Sequence, residues 1–171
     1  EAVSVLELTT HLHPRHAESW AKLGQAYRRL GRHDEAVRAY DHAIAIEPGY
    51  AWAWFGRGNA LEALGKREEA VVSYERAIEH DPGPIWYHTY LIDLLLKLER
   101  KQDAGRVSEA AVRHMPDNAV TWARRGQVQR RLGDHTGALI SYQRAVEIDA
   151  AYAWAWNGLG LAYLQRQQPD L

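Results

Sequence analysis

Chemistry in this chain would have to come from a short roster of side chains. "HLHPRH" places His11, His13 and His16 within one turn-sized stretch, a spacing that could hold a divalent metal weakly. No acid or thiol stands beside them, which favours a solvated loop. Paired acids occur at Asp34/Glu35 and Glu68/Glu69, but each pair opens an amphipathic segment, where negative charge complements a helix dipole. There is no GxSxG, HExxH or phosphate loop, and "GRG" (56–58) and "GLG" (158–160) lie inside helical patterns with no strand before them. No catalytic residue, metal ligand or cofactor is expected. The basic pairs Arg28/Arg29, Arg124/Arg125 and Arg130/Arg131 could meet phosphate or an acidic peptide. A net charge of −1 disfavours nucleic acid as the partner.

Composition narrows the class further. The 171 residues are 46% hydrophobic and 25% charged, with no cysteine, which describes an ordinary globular chain and excludes thiolate chemistry and disulfide frameworks. No apolar run is long enough to span a bilayer. The opening lacks the basic start and apolar core of a signal peptide, and there is no initiating Met. The expectation is a piece of a longer protein, cytoplasmic by default.

The elements that carry these residues follow one period. Trp20, Trp54, Trp122 and Trp156 lie on a 34-residue step, as do Gly24, Gly58, Gly126 and Gly160, then Ala36, Ala70, Ala104 and Ala138, and Pro48, Pro82 and Pro116. Each period holds two amphipathic segments divided by a Gly-centred turn such as "RLGRHDEA". Mid-helix glycine costs about 1 kcal/mol relative to alanine, so its recurrence predicts a close approach of two helices, with the alanine columns facing it.

"WAKLGQAY" (20–27), followed by Ala36, Tyr40, Ala43 and Pro48, resembles the tetratricopeptide repeat. The resemblance covers essentially the whole chain: a second helix only at 1–16, full units at 17–50, 51–84, 85–118 and 119–152, and a first helix with a tail at 153–171. It implies an all-α fold, a right-handed α-solenoid of stacked helix-turn-helix units with a concave groove, and a non-catalytic module that binds a protein or peptide segment in that groove. Trp20, Trp54, Trp122 and Trp156 are expected as core wedges. Two residues earlier, the other tryptophan of each "YAWAW" falls on nearly the opposite side of the helix, on the stripe that lines the groove in this family.

That stripe contains Glu18, Ala21, Lys22, Gln25 and Arg28, then Trp52, Phe55, Asn59 and Glu62, then Trp86, Thr89, Tyr90, Asp93 and Lys97. It continues with Val120, Ala123, Arg124, Gln127 and Arg130, and ends with Trp154, Asn157 and Leu161. The peptide-binding residues expected are Gln25, Arg28, Trp52, Phe55, Asn59, Trp86, Tyr90, Asp93, Arg124, Gln127, Trp154 and Asn157. The family's clamp for a C-terminal carboxylate is disfavoured, because Phe55, Tyr90 and Val120 stand where its polar residues belong.

The unit 85–118 departs from the pattern, with His88 for Trp, Ile92 for the packing Gly, Glu99 for the turn Gly and Ser108 for the aromatic. A wider spacing of its helices is expected, and either a specialised binding centre or sequence drift accounts for it. A second function class is also open: residues 1–14 of one molecule could complete the lone first helix of another, giving a weak head-to-tail scaffold.

Overall fold

The computed structural model describes residues 2–167; residue 1 and the tail 168–171, which belong to the first and last expected segments, lie outside them. Among the described residues there are ten α-helices and no strand. They are α1 (Ala2–Leu12), α2 (Ala17–Arg29), α3 (His33–Ile46), α4 (Ala51–Ala63), α5 (Arg67–His80), α6 (Ile85–Lys97), α7 (Lys101–His114), α8 (Ala119–Arg131), α9 (His135–Ile148) and α10 (Ala153–Gln167).

The chain divides into two compact units, Glu1–Pro82 and Gly83–Leu171. In the first, each helix packs on its sequence neighbour from α1 to α5, and α2 also packs on α4. In the second, the same holds from α6 to α10, with α6 on α8 and α8 on α10. Within each unit these are stacked antiparallel helix pairs, the architecture of an all-α solenoid.

Turn chemistry sets the pairs. The backbone must turn left-handed after a first helix, and Gly31, Gly65 and Gly133 do so at φ 74°, 77° and 83°. After α6 the same conformation falls on Glu99, at φ 56°, where an L side chain is strained. Among the described residues two helices carry side-chain caps: Asn118 Oδ1 accepts from Val120 N–H at 2.9 Å and Asp134 Oδ1 from Gly137 N–H at 2.8 Å.

The expected close approach at the glycines is real, but what fills it is a tyrosine ring and not an alanine surface. Tyr40, Tyr74 and Tyr142 are among the most deeply buried large side chains. A methyl added at Gly24 would stand 3.1 Å from the Tyr40 ring, and one at Gly126 3.0 Å from that of Tyr142. Gly56 and Gly158, on the following helices, press on the same two rings. Each ring is therefore held between glycines of successive first helices.

In the departing unit, Ile92 and Ser108 are both fully buried. They hold the positions of glycine and tyrosine in the other units, so the large and small members of the pair have changed places. Exchange of volume across a packed pair is tolerated far better than a one-sided change.

The tryptophan column differs from the expectation of core wedges. Trp20, Trp54 and Trp122 are half-buried and Trp156 is 51% exposed. Each donates its indole N–H to the carbonyl six residues earlier: Trp20 to Pro14 (3.0 Å), Trp54 to Pro48 (2.8 Å), Trp122 to Pro116 (2.7 Å) and Trp156 to Ala150 (2.9 Å). The column lies in the first turn of its helix, so the ring folds back over the preceding loop, and Trp20 and Trp122 reach only the margin of the core clusters they pack against.

Candidate functional site

The first helices of the second unit bring the clearest constellation together. Trp86, Tyr90 and Asp93 follow one another on one face of α6, with Trp86 50% and Tyr90 46% exposed. From α8, Arg124 Nη1 donates to Asp93 Oδ1 at 2.7 Å and to Gln127 Oε1 at 3.0 Å. Its guanidinium also lies 5.1 Å from the ring centroid of Trp154, on α10. Arg124 thereby ties three first helices into one face. Trp154 is 37% exposed and meets Tyr142 edge-on at 6.3 Å and Tyr152 at 6.0 Å. Asn157 follows it, exposed, on α10. A cleft of about 380 Å³ opens beside this face, lined by Asp93, Leu96, Lys97, Glu99, Gln127 and Arg131.

In the first unit, Trp52 repeats the setting of Trp154, edge-on to Tyr40 at 6.3 Å and tilted against Tyr50 at 6.1 Å. It is half-buried and packs on the core cluster. The other candidates there are drawn towards the buried tyrosines. Phe55 lies 5.6 Å from the Tyr74 ring and Asn59 Oδ1 is 3.0 Å from the Tyr74 hydroxyl. Burial pushes the Tyr40 phenol up, and the Arg28 charge beside it pulls the other way. Gln25 lines a separate cleft of about 510 Å³ between α1 and α2.

A device invisible to column reading emerges from these contacts. Arg28, Glu62 and Arg130 each stand twelve residues before a buried tyrosine and each reaches its hydroxyl region. Tyr74 bonds Glu62 at 3.1 Å, and burial pushes the Tyr142 phenol up while the nearby Arg130 guanidinium pulls the other way. In the departing unit the pair becomes Leu96 and Ser108, and Ser108 Oγ turns back to donate to Gly105 O at 2.8 Å. The shared twelve-residue offset was the available signal.

Two members of the expected stripe do not reach its surface. Ala21 and Ala123 are completely buried in their helix–helix cores. Lys22 pairs with Glu18 at 2.7 Å on the same helix. Among the arginine pairs, Arg124 is held as described and Arg125 lies 5.5 Å over Trp122. Those guanidiniums are turned into the protein instead of forming a continuous basic rail. At the histidines, His16 Nδ1 is 2.7 Å from Ser19 Oγ, and no cluster of three or more metal-binding side chains occurs among the described residues. No helix among them is long and apolar enough to cross a membrane.

Family comparison agrees with this architecture. A TPR repeat model matches residues 24–65 and 126–167, and a tetratricopeptide repeat model matches residues 51–84, together more than half of the chain. The chain belongs to the tetratricopeptide repeat family. TPR repeats build protein–protein interaction modules that are in general not catalytic, and this TPR protein is an interaction module. No curated protein matches it in sequence.

Solved structures share its fold. YrrB, described as a TPR protein with an unusual peptide-binding site, is 20% identical with a TM-score of 0.76, covering 99% of this chain and 87% of that one. MamA 41-end from Desulfovibrio magneticus RS-1 is 22% identical with a TM-score of 0.72, covering 88% and 85%. TTC0263, a thermophilic TPR protein in Thermus thermophilus, is 18% identical with a TM-score of 0.65, covering 95% and 89%.

Proposed function

We propose that this TPR protein docks a peptide or protein segment on the face formed by α6, α8 and α10, using Trp86, Tyr90, Asp93, Arg124, Gln127, Trp154 and Asn157. Its building blocks are the units 17–50, 51–84, 85–118 and 119–152. The observation that carries the reading is the pair of half-exposed rings, Trp86 and Tyr90, one turn apart beside the Asp93–Arg124–Trp154 bridge. Large aromatic rings left open to water beside a preset guanidinium are the side-chain types that dominate binding hot spots. The first unit has a face of its own, with Gln25, Arg28, Trp52, Phe55 and Asn59, which is the weaker candidate, since most of these side chains already serve Tyr40 or Tyr74.

The test is selection of a random peptide library displayed on phage against the 171-residue chain. Enriched peptides should lose affinity on the order of tenfold or more with Trp86→Ala and with Tyr90→Ala, both variants remaining helical. Enrichment that ignores both substitutions, or no enrichment, overturns the reading.

A second reading is favoured by the outer helices. Val5, Leu8 and Leu12 on α1 and Leu161, Tyr163 and Leu164 on α10 are exposed, and among the described residues Gly160 has no atom of another element over it, unlike Gly24, Gly58 and Gly126. Docking of α1 from one molecule onto α10 of another would make a head-to-tail scaffold. Sedimentation that shows only monomer at every concentration eliminates it.

A further inference from the structure

The tryptophans of this chain fall into two chemical kinds. Trp20, Trp54, Trp122 and Trp156 spend their indole N–H on a backbone carbonyl of their own loop. Trp52, Trp86 and Trp154 have no acceptor for theirs among the described residues, and the Trp52 indole nitrogen is not buried. The face of α6, α8 and α10 thus presents two unspent indole donors on partly exposed rings. Gln127 adds its amide N–H groups, because its Oε1 is occupied by Arg124.

Two acceptors on the same face are already engaged. The Asp93 carboxylate holds Arg124, and the Thr89 hydroxyl donates to Trp86 O at 3.0 Å on its own helix. The ion pair is satisfied internally, so the face has little call for a charged ligand. What it offers is aromatic surface and hydrogen-bond donors.

A ligand that fits must bring free carbonyl acceptors and compact apolar groups. A helical ligand spends its carbonyls on its own N–H groups. Strand addition needs a sheet edge, and no strand exists among the described residues. Proline removes the N–H from the backbone, and the polyproline II helix has no internal hydrogen bonds, which leaves its carbonyls free.

We propose that the segment docked on this face is extended and proline-rich, with its carbonyls accepting from the indole N–H groups of Trp86 and Trp154 and its pyrrolidine rings lying on the exposed aromatic surface. This rests on the docking reading above. Trp52 supplies an equivalent donor in the first unit.

The experiment follows the indole N–H resonances of the ¹⁵N-labelled chain, assigned by Trp→Phe substitution, during titration with a capped polyproline decamer. A capped alanine-rich helical peptide of equal length is the control. The Trp86 and Trp154 signals should move downfield saturably with polyproline, while those of Trp20, Trp54 and Trp122 stay. Trp86→Phe and Trp154→Phe, which keep a ring and lose the donor, should each weaken binding about fivefold, the size of one net hydrogen bond. Stationary Trp86 and Trp154 signals at millimolar polyproline, or the same shifts with the helical control, overturn the proposal. If library peptides depend on Trp86 and Tyr90 yet carry no proline, this inference falls and the docking reading stands. If no peptide is selected at all, both fall.

Discussion

Gly58 lies beneath the ring of Tyr74, so closely that a methyl group added to it would stand 2.5 Å from the ring carbon Cε1. The two residues are sixteen apart in sequence and belong to paired helices α4 and α5. Their contact explains why a residue that weakens a helix recurs in the middle of one.

Two glycines of the same column should therefore respond oppositely to alanine. Gly58→Ala forces the Tyr74 ring out of a packed core and should cost about 1 to 3 kcal/mol. Gly160→Ala meets no neighbouring atom within 4 Å among the described residues, so it should gain the helix-propensity difference, about 1 kcal/mol. Urea denaturation of both variants checks this, and equal effects at the two sites would contradict the packing account.

Glu99 should behave as a misplaced residue. It adopts the left-handed conformation that glycine fills at Gly31, Gly65 and Gly133, at a cost of roughly 1 to 2 kcal/mol for an L side chain. Its ion pair with Lys101, 3.0 Å long and well exposed, returns little. Glu99→Gly should raise the urea midpoint, whereas Gly65→Glu, the reverse change in the first unit, should lower it.

The seat of α1 on α2 should loosen at alkaline pH. Tyr27 donates to Glu7 Oε1 at 2.6 Å, and burial followed by that bond pushes its phenol up to about 12. The neutral phenol is the form that folding favours, so its contribution is complete below pH 10, the ordinary tyrosine value. It declines as the pH rises and is gone once the pH passes about 12. Burial also raises Tyr40, Tyr50, Tyr142 and Tyr152, so the wild type must be compared with Tyr27→Phe. Between pH 9 and pH 11.5 the wild type should lose more stability than the variant.

Periodicity carried the helices and turns because both are local: Trp, Gly and Pro on a 34-residue step mark where a helix starts, packs and stops. Side-chain direction is not local. The stripe containing Ala21 and Ala123 reads as surface until neighbouring helices cover it on two sides. The Trp20 column is large and regular, which suggested a core, yet its rings close over loops while Tyr40, Tyr74 and Tyr142 fill the interior. The exchange of Gly and Tyr for Ile92 and Ser108 was visible only as two separate departures, because its meaning lies in their pairing across α6 and α7. For the candidate site, residue types were legible, whereas the bridge from Asp93 through Arg124 to Trp154 depends on three helices meeting.

The tryptophans of "YAWAW" give the most discriminating comparison. Trp54 clamps the loop before α4 through its bond to Pro48, and Trp52 packs against Tyr40 and Tyr50. Both are half-buried, so each truncation to alanine should cost stability, on the order of 2 kcal/mol, somewhat below the range for a fully buried aromatic. Trp86 is half open to water and its N–H has no protein acceptor among the described residues. Trp86→Ala should thus leave stability within about 0.5 kcal/mol of wild type while weakening peptide binding. Urea midpoints for the three variants, set beside their affinities for a selected peptide, separate the roles: if Trp86→Ala destabilises as much as Trp54→Ala, Trp86 is a structural residue and cannot be the anchor.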